Sequence, residues 1–586
     1  MRKIFGLLAI IATLVWSCNS GNNDGNSSLK RVAKGDKVYG GKLNISQSES
    51  LNSIYPANIV DVHTSNIASN VMETLLKFNA KDLSIVNGIA ESYSIDVTGT
   101  EYTIKLKKGV YFHDNECFEG SKGRELNAAD VKYSFTLLCT QDDINRMFAS
   151  TFKNRLLGAD KYYEASLNGK PDFDVEGIEI IDEYTLKLKL IKPFSSFINI
   201  LAYPSLSIIA KEAVEKYGKN ITNGTGPFVI PQGQSLNTDS KLILVRNPNY
   251  HRQDTLGNQL PFLDSIEVSI IDSKKAELVE FNKGNLHIVN GLPAESIREI
   301  VEQQIANFQN RPPKFLLDRS PQMGTEYYEF NLNTEILKDK RIRQAINYAI
   351  DRNGIIDKIL KGEAYGPAEN GITPPTFRDY DINNISGYTY QLEKAKLLLA
   401  EAGYPGGKGF PTLKLELNSG GYKNTSEAFE IQKQLMDNLG INIDLEVVPF
   451  AQKIEDERFG RADIFRTAWI ADYPSPDNFL FLFFGANVPD DPKAPSYPNV
   501  TRFKNEKFDM LYEKGLAASN RKQSYEFLSQ AESIMIEEAP IIPLWYNERY
   551  RLIKSDVRSY FTNAMNYKDF SGVYLKYIDK ITVKGQ

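Results

Sequence analysis

Histidine and cysteine are scarce in this chain. Among 586 residues there are four histidines, at 63, 113, 251 and 287, and three cysteines, at 18, 117 and 139. The histidines are far apart, and none stands in an H-E-x-x-H pattern that sets two imidazoles on one helix face for zinc. There is no C-x-x-C pair, no G-x-S-x-G nucleophile turn and no phosphate loop ending in G-K-[ST]. The glycine-rich pieces E-G-S-K-G-R-E (119–125) and P-G-G-K-G-F (405–410) read as turns. Adjacent acids such as Asp142/Asp143 and Glu537/Glu538 read as solvated surface. No catalytic constellation, metal site or cofactor is proposed by these residues. Excess charge is also missing. Lys+Arg total 69 and Asp+Glu 74, a formal net charge of −5, whereas a nucleic-acid protein needs a basic face. For an exported chain of this length, what remains is binding rather than turnover.

Long hydrophobic runs are missing too, except at the start. Arg2 and Lys3 precede an apolar run from Ile4 to Val15, and V-W-S-C ends at Cys18. A basic start, a short apolar stretch and a small residue before the cut describe a secretory signal, 1–17. The run is short for a membrane span. Cysteine directly after Ser17 resembles a bacterial lipobox, which makes Cys18 the lipidated first residue of the mature chain; the alternative is an ordinary signal peptide. The membrane is then touched only through that lipid. Residues 18–37 are polar and rich in Gly, Asn and Ser, the composition of a flexible linker. Asn19, not Asp, follows the cysteine, which leaves the anchoring membrane open. Cys117 and Cys139 either pair in an oxidising compartment or stay free.

The length exceeds what one hydrophobic core organises, so two or three lobes are expected. E-Y-T-I-K-L (101–106) and Y-T-L-K-L-K-L (184–190) alternate as half-buried strands. K-R-I-R-Q-A-I-N-Y-A-I (340–350) puts Ile342, Ala345, Ile346, Ala349 and Ile350 on one helical stripe, and 391–402 repeats the pattern before Gly403 and Pro405 stop it. Between 413 and 448 a strand, an amphipathic helix ending at Gly440 and a second strand make a βαβ crossover. The fold class is α/β with mixed sheets, and there is no internal repeat.

Several segments in register resemble the peptide-binding lipoproteins of bacterial ABC importers, the oligopeptide and dipeptide type. They are Y-G-G-K-L-N-I-S (39–46), N-G-I-A-E-S-Y-S-I through F-H-D (87–114), L-N-A-A-D-V-K-Y-S-F (126–135), T-G-P-F (225–228) and R-N-P-N-Y (246–250). Four more follow: R-I-R-Q-A-I-N-Y-A-I-D-R (341–352), E-K-A-K-L-L-L-A-E-A-G-Y (393–404), W-I-A-D-Y-P-S-P-D-N-F (469–479) and A-P-I-I-P-L-W-Y (539–546). The resemblance implies a periplasmic-binding-protein type II clamshell with an extra inserted lobe. Lobe I would take 38–75, 194–325 and 541–586, lobe II 76–193 and lobe III 326–540, with the ligand between lobes I and III. It also implies a monomer that hands short peptides to ABC permease subunits on the outer side of a bacterial membrane. One departure is the stretch N-E-C-F-E-G-S-K-G-R-E-L-N-A (115–128), longer than the family's usual spacing.

In that family an acid in the W-x-x-D segment receives the ligand's α-ammonium, and here the position is Asp472, three residues after Trp469. An ammonium entering a closed cleft needs a fixed anion, since water is excluded. By the same resemblance Ala468 and Ile470 offer main-chain groups to an extended peptide, Trp469 walls a side-chain pocket, and Arg466 faces ligand or its carboxylate. Val62, in D-V-H-T, is the candidate for a facing strand. Read as residues alone, Asp472 could instead cap the turn Y-P-S-P, Trp469 could be core and Arg466 surface. The competing functions are the same fold holding a non-peptide solute such as a metal chelate, haem, sugar or other cationic solute, a sensor or chaperone using the clamshell, and a periplasmic peptidase.

Overall fold

The alternating segments found in the sequence pair with one another. In the computed structural model, which describes residues 31–576 except 238–240, 294–295, 298, 304–312, 420–421 and 519, strands Glu101–Leu106 and Thr185–Lys189 run antiparallel, Tyr102 opposite Leu188 and Ile104 opposite Leu186. Those four side chains are buried. Strands Ala90–Ile95 and Ile178–Asp182 flank them in a four-stranded sheet. A second four-stranded sheet is mixed. Strand Lys42–Gln47 lies parallel to Ser265–Ile270, followed by Lys241–Arg246 and Phe228–Val229 in antiparallel order. The loop before Phe228 carries T-G-P-F, and its glycines let backbone meet backbone. A Cβ on Gly224 would stand 2.3 Å from the Val71 carbonyl oxygen.

The largest sheet has seven strands and carries the candidate site. At its centre, Phe315–Phe330 and Ile541–Lys554 pair antiparallel over most of their length, with register shifts between Pro321 and Thr325. The two ends of this ribbon belong to different cores. Tyr550 and Leu552 pack with Phe281, Leu286 and Val289, while Ile542, Leu544 and Trp545 pack with Ile342, Ala345 and Ile346. A register shift bends a strand pair locally, so the ribbon bends between the cores that it joins. Strand Ile464–Ile470 lies on the far side of Phe315–Phe330, and Leu413–Asn418 and Ile443–Val448 complete that flank. The last two are parallel and joined by helix Tyr422–Leu439, the crossover read from the sequence.

Helix Lys340–Tyr348 buries Ile342, Ala345 and Ile346, and Asp339 caps it by accepting from the Arg341 N–H. Helix Leu392–Glu401 buries Ala395 and Leu399 and is followed by Gly403 at φ +100°. Helix Ala128–Leu138 starts with a capping box: Asn127 and Asp130 each accept from the other's end of the first turn.

One expectation changes, and two points that the sequence leaves open are answered. Residues 31–37, read as linker, are tied down. Strand Arg31–Val32 pairs with Val38–Tyr39, and Lys37 forms a 2.7 Å ion pair with Asp254. The cysteines Cys117 and Cys139 are free thiols. The long stretch 115–128 packs on the body, with Phe118 buried and stacked on Phe112 at 5.8 Å, and Tyr217 OH donating to Asn115 Oδ1 at 2.7 Å. Arg124 at its end grips both Asp130 and Glu212 at 2.6 Å. The extra length is a clasp over helix Lys211–Tyr217. Cys18 and the signal segment lie outside the described residues.

Candidate ligand-binding site

Strand Ile464–Ile470 has one paired edge and one largely open edge. Against Phe315–Phe330 it pairs throughout, from Phe330 opposite Ile464 to Gly324 opposite Ile470. On its other side Leu413–Asn418 pairs only with Ile464 and Phe465. The parity follows from two bonds: the Asn331 N–H donates to the Asp463 carbonyl, and the Ala471 N–H donates to the Met323 carbonyl. Odd-numbered residues therefore aim their main-chain groups at the paired edge. Alternation along a strand turns those of Arg466, Ala468 and Ile470 the other way. From Arg466 onward no other strand covers that edge among the described residues. These residues are half-buried. The edge is a template for one more extended chain.

Asp472 stands at the end of this edge. Its N–H donates to Asn478 Oδ1 at 2.8 Å, and the Trp469 indole Nε1–H donates to the same oxygen at 3.0 Å. Asn478 and Tyr203 both hydrogen-bond the Asp472 carboxylate. Asn478 is buried, so one fixed amide sets the acid and the indole relative to each other. Trp469 also meets the Phe481 ring at 5.5 Å and 62°. Among the described residues no lysine, arginine or histidine forms an ion pair with Asp472. Burial pushes its carboxyl up to about 6, against the opposing pull of the Tyr203 and Asn478 hydrogen bonds. In turn, burial first and then the Asp472 charge push the Tyr203 phenol well above 10 and the Tyr497 phenol to about 12. The site is an acid supported by neutral donors, lacking a counter-cation.

Arg466 has a different situation. Its Nε reaches Glu427 Oε1 and its Nη2 reaches Glu326 Oε2, both at 2.7 Å. The triad is deeply set, with side-chain exposures of 11% for Arg466, 12% for Glu326 and 0% for Glu427. The guanidinium is already neutralised by two carboxylates, so it offers no free charge to a ligand carboxylate, contrary to the role given it above.

Residues 84–490 match the family described as bacterial extracellular solute-binding proteins, family 5, middle. The chain belongs to that family. It is similar to heme-binding protein A of Haemophilus influenzae, 27% identical over 528 residues, covering 88% of this chain and 89% of that one. The dipeptide-binding protein of Escherichia coli is 23% identical over 510 residues, with 86% and 88% covered. Among solved structures, the periplasmic binding protein DppA of Helicobacter pylori, in complex with the peptide STSA, superposes with a TM-score of 0.76. It is 26% identical and covers 92% of this chain and 99% of that one. The fold is therefore the two-lobed type II clamshell. Members of this family are transport receptors, and this chain is a receptor rather than an enzyme.

For this solute-binding protein the structure keeps Asp472, Trp469, Ala468 and Ile470 together on one strand and its following turn. It does not make a strand of D-V-H-T. Val62 opens helix Val62–Val71, because Asp61 accepts from the Thr64 N–H at 2.9 Å and from the Thr64 hydroxyl at 2.6 Å. An N-cap that satisfies two donors favours helix over extended chain. Two side chains that hydrogen-bond Asp472 escaped the sequence reading. Asn478 lies within the quoted W-I-A-D-Y-P-S-P-D-N-F, where an amide after a proline-broken turn was the available signal. Tyr203 comes from a remote segment just before the short helix Pro204–Leu206, and nothing local marks it.

Proposed function

We propose that this protein captures short peptides, with the α-ammonium at Asp472 and the main chain laid along Arg466–Ile470, and delivers them to an ABC permease. The observation that carries the reading is a desolvated carboxylate lacking a cation at the end of an open strand edge. A peptide N-terminus supplies a cation with three donors, and its backbone supplies the missing ladder. Trp469 lines the wall beside them. The relatives named for dipeptides and for a bound tetrapeptide support this reading. We further infer that Cys18 carries a lipid, so the receptor is tethered on the periplasmic or cell-surface side. Lobes I and III, with the boundaries given above, close over the ligand.

The test is calorimetric titration of protein stripped of ligand by unfolding and refolding. A mixed tri- to pentapeptide pool is compared with the same pool N-acetylated. Binding of the free pool and its loss on acetylation is the expected result. Equal binding of both pools would remove Asp472 from the role. No binding of either would favour a non-peptide solute, as for the relative named for heme.

The strand edge has its own test. Ala468→Pro removes an N–H that faces the open side and leaves the pairing with Phe315–Phe330 intact. Thr467 before it is already extended, as a residue preceding proline must be. Peptide affinity should fall about tenfold to a hundredfold, the value of one main-chain hydrogen bond in a desolvated cleft. The melting temperature should barely move. Unchanged affinity would mean that peptides do not add to this edge.

A further inference from the structure

A second charged cluster is tied to the Asp472 strand through Met323 and Ala564, and its sign is opposite. The Ala471 N–H donates to the Met323 carbonyl, and the Met323 N–H donates to the Ala564 carbonyl. Two main-chain crossings of this kind span roughly 10 Å. From Ala564 the chain is held tightly to Lys568, with the Asn563 side chain donating to the Tyr567 carbonyl at 2.7 Å and accepting from the Tyr567 N–H at 3.0 Å. Lys568 is clamped at its backbone. Its N–H donates to Asn66 Oδ1 at 3.1 Å, and its carbonyl accepts from Asn70 Nδ2 at 2.9 Å. The same helix, Val62–Val71, carries His63. Arg549 and Arg551 stand two apart on strand Ile541–Lys554, so their side chains leave one face of it. Ser320 and Asp318, opposite them, belong to the strand that also pairs with Ile464–Ile470.

Of the carboxylates around this cluster, Glu277 and Asp61 are committed elsewhere and Asp318 serves Arg551 alone. Glu277 accepts from Ser46 Oγ at 2.7 Å and pairs with Lys274 at 2.8 Å. Asp318 holds Arg551 Nη1 at 2.8 Å and accepts from the Thr562 hydroxyl at 3.2 Å. Asp61 caps the helix. Neither Lys568 nor Arg549 forms a salt bridge among the described residues. Arg551 is 1% exposed, yet its Nη2 is buried with no hydrogen-bond partner. An orphaned guanidinium N–H in a buried cationic cluster is costly and asks for an acceptor. The electrostatics agree. Burial first, and then Arg549 and Arg551, push the Lys568 ammonium down to about 7, with Lys274 adding to the repulsion and Glu277 opposing it. Burial, then Arg551, lowers the Arg549 guanidinium to about 10 against the pull of Glu363 and Glu277. His63 is pushed down to about 4, chiefly by burial, and is neutral.

We propose that Lys568, Arg549 and Arg551 form an oxyanion subsite for a ligand carboxylate, and that the ligand is a short zwitterion whose ammonium sits at Asp472. The proposal rests on the peptide reading and narrows its substrate class. With Arg466 already neutralised by Glu326 and Glu427, the charge of this cluster is the one left without full compensation, since Asp318 pairs with Arg551 alone. The carboxylate comes either from the peptide's C-terminus or from an acidic side chain. Both take the same bidentate and point-charge donors.

The experiment titrates the stripped full chain with three probes: trialanine, trialanine C-terminal amide, and Ala-Glu-Ala amide. For the wild-type protein trialanine should bind at least tenfold tighter than its amide. In Lys568→Met and in Arg549→Gln that ratio should shrink toward one; two variants are used because either alone could disturb packing, and melting temperatures identify such a case. Recovery of wild-type affinity with Ala-Glu-Ala amide assigns the subsite to an acidic side chain. Recovery only with the free C-terminus assigns it to the terminus. A ratio near one in the wild type, or an unchanged ratio in both variants, overturns the subsite while leaving ammonium capture at Asp472 intact. If no probe binds the wild type, the peptide reading itself fails and the subsite falls with it.

Discussion

Replacing Asp472 with asparagine should abolish high-affinity binding of peptides with a free N-terminus, by about thirtyfold or more. A charged hydrogen-bonded pair removed from a desolvated site costs roughly 2–5 kcal/mol. The same substitution should not harm the empty protein. The acid has its folded-state pKa raised to about 6, above the ordinary 3.8. Between those values the folded chain binds more protons than the unfolded one, so this group's contribution to stability falls as pH rises from about 4 to about 6. Above pH 6 the ionised carboxylate is a net burden, which an incoming ammonium relieves. The neutral amide of the Asp472→Asn variant carries no such burden, so the melting temperature of the empty variant at pH 7.5 should equal or exceed that of the wild type. A purely structural acid that caps the Y-P-S-P turn would behave oppositely, losing stability with its charge. The pH profile gives a second check. Binding needs Asp472 ionised and the peptide amine protonated, so affinity should be highest between about 6 and about 8, the ordinary range of an α-amino group. Below 6 it should weaken about tenfold per pH unit. A flat profile from pH 5 to 7 would remove the carboxylate from the binding step.

How much of this was legible beforehand depended on distance along the chain. Glu101–Leu106, Thr185–Lys189 and the crossover from Leu413 to Val448 follow from hydrophobic periodicity, because neighbouring residues decide which face is buried. Asp472 and Trp469 were legible because they share one short segment. The openness of the strand edge was not. It depends on where Leu413–Asn418 stops pairing, at Phe465, and no local pattern encodes that. Tyr203 and the partners of Arg466 are likewise assembled from remote segments. D-V-H-T was misassigned although Asp61 and Thr64 are a readable helix-start pair; the resemblance favoured a strand over the local cap. Stretch 115–128 shared the fate of Tyr203: its partners Glu212 and Tyr217 stand 88 and 102 residues further along the chain, and Phe118 and Asn115 gave no period to read.

The role of Arg466 yields the last expected result, a loss of stability rather than of ligand. Arg466→Met should destabilise the protein by about 3–5 kcal/mol, the cost of breaking a buried charged pair from one side. Two carboxylates would be left facing each other with little water. Glu427 is wholly enclosed, and the buried Tyr328 nearby keeps its phenol well above 10 under burial and the Glu427 charge. One acid must then take up a proton to fold, which raises its folded-state pKa above the unfolded value. Stability of the variant therefore drops as pH rises through that interval, and the melting temperature should recover toward pH 5. Adding Glu326→Gln and Glu427→Gln should restore much of the loss, since removing the whole network costs less than removing its centre. Thermal melts at pH 5 and pH 8, beside titration with the peptide pool, separate the two roles. An arginine that met ligand would lose affinity with its stability intact, whereas one that neutralises Glu326 and Glu427 loses stability first, and the acid pH that weakens Asp472 is the pH that rescues this variant.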